Sequence, residues 1–343
     1  MEADSTTYEN NSKSSDDICL PFSSNPEDLK FYKVLISHIG NCSLESQLIE
    51  KLQSLGLIPE KVTCPENKPD CKVSLKSARV VDRFQWLCKG CGKRLPIRTG
   101  TFFFRLQCSI LQALQIIFAW CEDADVYTAA QFFDVKPKVA CSIYDRLDEL
   151  AIEQLHKYKL GGENAVVMSE MYPDCLNRLS PDTTDQAHVH QILMMADTKH
   201  IPTYYKLHVI QRDPKRLRSN TDKDEFLEEE IKASLLRVAK PGSMLVTGNN
   251  VPLIDRTVPL QQVIAHCNVN MQHFLCSRIW RQALVLCSAA RELCSGAADS
   301  CSAPLQRYLD TASYRLRHPR HFYEHTLRAL AADVTHPALL DCF

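Results

Sequence analysis

Four cysteines constrain the fold of this chain more than any other feature of its sequence. They fall as Cys64-x6-Cys71, a gap of sixteen residues, and Cys88-x2-Cys91. A zinc ion takes four thiolates at tetrahedral angles, and two tight turns separated by β-structure deliver them, each turn presenting two sulfurs. Cys88-Lys89-Gly90-Cys91 has the form of such a turn, with Gly90 permitting it. The Cys64–Cys71 spacing exceeds the roughly two to four residues usual for the motif, which makes Cys71 the weakest of the four. A site filled by four sulfurs is structural, because no position is left for a water. The alternative is four unrelated buried thiols. The chain has 16 cysteines in all, and its first residues show neither a basic n-region nor an apolar h-region. A disulfide framework is therefore not expected. The other twelve cysteines show no paired spacing and are expected in the core as small hydrophobes.

Charge divides the chain unevenly. Forty Lys+Arg against 41 Asp+Glu give a net −1, which excludes a histone-like polycation. Residues 1–29 hold seven acids and one lysine, net −6, so the rest stands at +5. This first segment reads as a disordered acidic tail and the remainder as a mildly basic body. No run of 18 apolar residues occurs, so no membrane partner is expected. Ten glycines are too few for glycine-rich phosphate loops or a glycine-punctuated β-sandwich.

Hydrophobic periodicity orders the elements. Phe31, Val34, Leu35 and Ile39 share one helical face, Ser43 caps a second helix, and Gly56 suits the residue just past its end. The stretches 71–75 and 80–87 alternate like short strands. Residues 108–158 return to helical periodicity, with segments 127–133 and 138–155 joined by a tight turn and Pro137 placed for a first helical turn. Residues 165–168, 190–195 and 204–210 read as strands, the first two apolar enough for a sheet covered on both faces. A helix over 223–238, a strand over 243–247 and mostly helical residues 258–332 follow. The fold class is thus a multidomain α/β chain, with N-terminal helices (30–60), a zinc ribbon (61–100), a helical region with a helix-turn-helix (105–158), a mixed sheet flanked by helices (162–333) and a C-terminal tail (334–343).

Two groups of residues could carry chemistry beyond the cysteines. A helix-turn-helix puts its second helix in the DNA major groove, which makes Lys136, Lys138 and Arg146 candidate contacts. A packing-only helical hairpin is the alternative. Basic clusters at Lys89, Lys93, Arg94 and Arg98, at Arg212, Lys215, Arg216 and Arg218, and at Arg315, Arg317, His318 and Arg320 raise the odds of phosphate contact, although charge runs are often only solvated faces. Carboxylates are scarcer. The first sheet strand ends Met168-Ser169-Glu170 and the fourth ends Thr247-Gly248-Asn249. One carboxylate cannot assemble a two-metal centre.

The stretch Phe84-Gln85-Trp86-Leu87-Cys88-Lys89-Gly90-Cys91, followed by Arg98-Thr99-Gly100-Thr101-Phe102-Phe103, resembles the ribbon and "RTGT" turn of the zinc-ribbon DDE transposases of bacterial insertion sequences and their eukaryotic Merlin relatives. Val135 with the following helix is similar to the family's helix-turn-helix. Pro241-Gly242-Ser243 through Thr247 resembles the turn and strand before its second catalytic Asp, and Tyr308-Leu309-Asp310 with Tyr314-Arg315 a C-terminal helix. The resemblance runs from about residue 30 to 333. It implies a ribonuclease-H-like core and two-metal chemistry on three acids. The chain departs at those positions, with Ser169 and Gly248 where the family has Asp, and Ser277 near the third acid; Glu170 is retained. Serine and glycine offer no charged oxygen to Mg²⁺. The expectation is a domesticated, catalytically inactive transposase relative in the nucleus. It would carry structural Zn²⁺, bind DNA or chromatin, recruit protein partners, and dimerise as family members generally oligomerise. Two other expectations stay open, a protein-interaction scaffold without direct DNA binding and a residual nuclease using Glu170 with Asp197 or Asp255.

Overall fold

The computed structural model describes residues 19–36, 42–80, 82–172, 191–210, 220–290 and 302–334. Helices α1 (Pro26–Ile36) and α2 (Cys42–Ser54) lead into an antiparallel ribbon of β1 (Val73–Ser77), β2 (Phe84–Cys88) and β3 (Arg94–Pro96). Gly56 ends α2 at φ +78. Its N–H bonds the Gln53 carbonyl, and Leu57 N–H reaches the Leu52 carbonyl, the paired bonds of a Schellman cap. The third ribbon strand was not foreseen from alternation, being only three residues long.

Three helices follow, α3 (Ile110–Cys121), α4 (Val126–Phe132) and α5 (Pro137–Lys157). Ser109 and Gln112 form a reciprocal capping box at the start of α3, and Asp125 caps α4. Pro137 occupies the first turn of α5. The α4–α5 turn closes through Val135 N–H on the Ala130 carbonyl, with Asp134 left-handed at φ +52.

The second half holds a five-stranded mixed sheet. Its strands are β4 (Val166–Met171), β5 (Ile192–Asp197), β6 (Tyr204–Val209), β7 (Met244–Thr247) and β8 (Val258–Pro259), with α6 (Asn220–Val238) between β6 and β7. The order is β6-β5-β4-β7-β8; β4–β5 and β5–β6 are antiparallel, β4–β7 and β7–β8 parallel. Every residue of β5 is buried, as suits its apolar run 192–196, and Asp197 at its end is buried with them. Residues of α6, Ile231 and Leu235, cover one face. The other lies under α8 (Val269–Cys276), the 3-10 turn Arg278–Trp280, α9 (Arg281–Ala290) and α10 (Ser302–Arg317), after the short α7 (Leu260–Ile264). The β6 edge is capped by one side chain. Gln306 donates to the Leu207 carbonyl at 2.8 Å and accepts from Val209 N–H at 2.7 Å.

The last helix, α11 (Phe322–Val334), corrects two expected boundaries. It packs not with the sheet but with α1 and α3 in the N-terminal core. Tyr323 is fully buried there. Its hydroxyl donates to the Leu114 carbonyl, its N–H to Asp28, and its ring stands edge-on to Phe118 at 5.3 Å. The unit placed at 162–333 therefore ends before α11. The acidic tail placed at 1–29 also runs too far: Leu20 and Phe22 pack on the core and Asp28 is buried in α1, where burial raises its carboxyl. Residues 1–18 and 335–343 lie outside the described residues.

Because Tyr323 fills the junction of three helices, Tyr323→Ala should lower unfolding free energy by about 3–5 kcal/mol, measured by denaturant titration. The α10–α11 joint should also show a pH signature. His318 and His325 stack at 3.7 Å, and burial lowers both, His318 to about 4. An unfolded chain takes up those protons near pH 6.5 while the folded one does not. Stability from this pair is full above about 6.5 and falls as pH drops towards 4. His318→Gln should shrink the decline in melting temperature over that window.

Candidate metal centre and basic ribbon face

The four cysteines converge. Their sulfurs all lie within 4.8 Å of one another, with Cys64 Sγ and Cys91 Sγ 3.4 Å apart. A tetrahedron with metal–sulfur bonds of about 2.3 Å has edges of about 3.8 Å, so the group is close to the size an ion such as zinc needs. The long x6 loop reaches it by folding into two successive turns. Asn67 N–H bonds the Cys64 carbonyl, with Asn67 left-handed at φ +44, and Cys71 N–H then bonds the Lys68 carbonyl. The opposite turn closes through Gly92 N–H on Cys88 and Cys88 N–H on Lys93. A Cβ on Gly90 would stand 2.3 Å from the Asp70 carbonyl oxygen. Glycine is thus what lets the two knuckles touch.

The thiols are not equivalent. The Cys91 backbone amide draws the Cys88 thiol down to about 6, with neighbouring thiols adding to it, while Cys71 is pushed up to about 12, first by burial and then by sharing with Cys88. Of the other cysteines, Cys121 and Cys287 are core thiols as expected, but Cys19 and Cys276 are exposed.

Strand alternation sorts the ribbon's side chains. Val73, Leu75, Phe84, Trp86 and Leu95 pack on the N-terminal core. The intervening positions, Lys72, Lys76 and Arg94, are exposed on the opposite face, and Arg79, Arg83, Lys89 and Lys93 are exposed at the turns. Residues 72–105 contain nine Lys and Arg against a single acid, Asp82. Lys72, Lys76, Arg79 and Arg83 were missed because they are spread along alternating positions and form no run. Lys93 pairs with Glu66 at 2.5 Å.

Several expected contacts are structural instead. Arg98 is buried; its guanidinium forks onto the Asp82 carboxylate and donates to the Leu106 carbonyl. Arg146 donates to the Phe102 carbonyl and lies 4.0 Å over the Phe102 ring. Arg315 covers Trp120 and pairs with Asp123, and Arg317 sits between the Tyr158 and Tyr204 rings. These guanidiniums are engaged inside the protein and cannot double as free phosphate ligands. Lys136 and Lys138 are exposed at the start of α5. Arg212, Lys215, Arg216 and Arg218 lie outside the described residues.

The positions matched to catalytic acids do adjoin one another in part. Ser169 pairs with Thr247, and Gly248 N–H bonds the Ser169 carbonyl. Ser169 is fully buried, its hydroxyl donating to the Val246 carbonyl. Glu170 curls over Gly248. Its carboxylate accepts from Met171, Asn249 and Asn250 N–H, and a Cβ on residue 248 would fall 2.0 Å from Glu170 Oε2. An Asp at 248 and Glu170 in this position exclude each other. Ser277 is exposed at the C-terminal end of α8, its N–H on the His273 carbonyl. Asp197 does not join Glu170. It is paired across to Val167, three residues and about 10 Å along the sheet, where it binds the Gly161 and Lys199 amides. Asp255 is a surface residue beside Lys232. Among the described residues, the cysteine quartet is the one group of three or more Cys, His, Asp or Glu placed to hold an ion.

No protein-family model, curated protein or solved structure matches the chain. No helix among the described residues is long and apolar enough to cross a membrane.

The quartet should retain close to one ion per chain by elemental analysis, with proton release on loading as the thiols ionise. Cys88→Ser should abolish retention. Gly90→Ala, which drives a methyl into the Asp70 backbone, should weaken it although no ligand is changed.

Proposed function

We propose that the chain is a transposase-derived nuclear protein that binds DNA or chromatin without cutting it and recruits other proteins. The observation that carries this reading is the basic outer face of the ribbon, where Lys72, Lys76 and Arg94 project from one sheet surface while its inner side is locked into the core. Cations spaced along a rigid strand pair suit a phosphate backbone, and fixing them in advance lowers the entropy lost on binding. In this reading the cysteine quartet holds structural Zn²⁺, which would tie the knuckle lysines Lys89 and Lys93 to the same body.

Three further features support the transposase-derived reading. Three antiparallel strands, a helix and then parallel strands give the order expected of the ribonuclease-H-like core. The short helix, tight turn and longer helix of α4 and α5, with Lys136 and Lys138 exposed at the entry, suit a helix-turn-helix. The closing of Glu170 over Gly248 suits a site that no longer assembles metal. A second reading, protein-interaction scaffold or homodimer, is favoured by apolar side chains open to solvent on α8 and α9, Val269 at 78% and Val285 at 63% exposure.

Gel shifts with duplex DNA over a salt series test the first reading. Lys72, Lys76 and Arg94→Ala together should weaken binding and reduce the slope of log affinity against log salt by up to about 3. Absence of binding at about 50 mM salt, or an unchanged slope in the triple variant, would refute it. Partners that survive nuclease treatment in a pull-down would shift weight to the scaffold.

A further inference from the structure

A groove of about 700 Å³ lies between the C-terminal end of α6, the turn that enters β7 and the turn before β8. Its floor is apolar. Leu235 and Ile254 are buried there and Leu245 is half-buried. One wall carries Lys232, Leu236 and Lys240 at four-residue spacing, so the first two share a side of α6 and the third stands just past its end. The facing wall is the turn through Asp255 and Arg256, closed by Thr257, whose N–H and hydroxyl both donate to the Ile254 carbonyl. The turn into β7 is held as firmly: the Ser243 hydroxyl donates to the Lys240 carbonyl and accepts from Gly162 N–H.

Two properties set this groove apart from ordinary surface. The first is that its apolar character does not end at the rim. Leu236 is 62% exposed, and Met244 and Leu253, each next in sequence to a floor residue, are 43% and 64% exposed. Large apolar side chains on a soluble surface are usually scattered singly. The second is charge. The lining carries Lys232, Lys240 and Arg256 against one acid, Asp255. Asp255 reaches Lys232 at 3.7 Å, an exposed pair of the kind that contributes little. Among the described residues no carboxylate pairs with Lys240 or Arg256.

We propose that this groove docks a short acidic peptide segment with bulky apolar side chains. The apolar residues would seat on Leu235, Leu245 and Ile254, and the carboxylates would meet Lys240 and Arg256. Opposite charge around an apolar floor selects the partner and its register, while burial of the apolar anchors holds it. Apolar surface that continues past the rim onto Met244 and Leu253 suits a segment of chain better than a compact small molecule. A phosphate backbone would leave the apolar floor uncovered, and a symmetric contact with a second copy would set the same cations against each other. The inference rests on the recruitment of other proteins in the reading above and gives it a place. It uses no residue of the ribbon, α4 or α5.

Selection from a phage-displayed library of random peptides on the full chain tests it, with a double variant, Lys240→Glu and Arg256→Glu, as the counter-selection. Both side chains are exposed, so the variant should keep its melting temperature. Peptides that bind the full chain but not the variant should be acidic and carry Leu, Ile, Phe or Met. One of them, synthesised and titrated by fluorescence polarisation, should bind the double variant, and also Leu236→Gln, at least about tenfold more weakly. It should bind the Lys72, Lys76 and Arg94→Ala protein unchanged, whereas duplex DNA should show the reverse pattern, so groove and ribbon can fail separately. Recovery of no groove-dependent peptide, or of groove-dependent peptides that are neutral, basic or without apolar residues, would overturn the proposal. So would loss in the double variant of phosphatidylserine-vesicle binding or of self-association while peptide binding stays intact.

Discussion

The stack of Tyr32 on Phe118, with ring centroids 4.2 Å apart and Tyr323 edge-on to both, joins segments almost three hundred residues apart in sequence. Everything in the N-terminal half rests on it. The stack fixes α1, α3 and α11 as one apolar body, and the ribbon docks on that body through Trp86, Ile97, Phe102 and Phe103. Two arginines then set the ribbon's angle, buried Arg98 closing the strand ends onto Asp82 and half-buried Arg146 clamping Phe102 to α5. A fork of charge-assisted hydrogen bonds is directional in a way that apolar packing is not. The core thus supplies the attachment and the arginines the orientation. Lys72, Lys76 and Arg94 are presented to solvent by a surface that cannot easily turn.

Much of this was legible where local chemistry is decisive. Gly56 past α2, Pro137 at the head of α5 and the apolar run 192–196 of β5 each have a single comfortable setting, so position and pattern agree with the structure. The knuckle Cys88-Lys89-Gly90-Cys91 was legible for the same reason. Other features were hidden because they depend on partners distant in sequence. Nothing in Phe322–Val334 says that its apolar stripe faces α1 and α3 rather than the nearer sheet. Arg98 and Arg146 look like phosphate ligands until Asp82 and Phe102 are seen to claim them. The Cys64–Cys71 loop looked too long because one turn was assumed where the backbone makes two. The outer cations of β1 were readable in principle: alternation of Lys72, Ser74 and Lys76 with Val73 and Leu75 marks an outward basic face, but a search for charge runs passes over it.

The two potential metal positions differ in what their ligands already do. At the cysteine quartet the sulfurs lie within 4.8 Å of one another, and the backbone amides that reach the Cys88 thiol favour its ionised form. Metal binding there removes mutual crowding and demands only ionisation. At Glu170 the carboxylate is committed to the Asn249 and Asn250 amides. Turning it outward to hold a cation would give up hydrogen bonds worth about 1.5–3 kcal/mol each to a charged acceptor, and would leave Ser169 and Gly248 with no charged oxygen to add. A hard divalent ion gains its affinity from several such oxygens acting together, so a single reoriented carboxylate does not recover that loss. With Glu170 folded over Gly248, a Cβ there would meet its carboxylate unless that side chain moved. With Glu170 held by backbone amides and no carboxylate at 169 or 248, charged oxygen ligands are short there, whereas the four sulfurs of the quartet already converge.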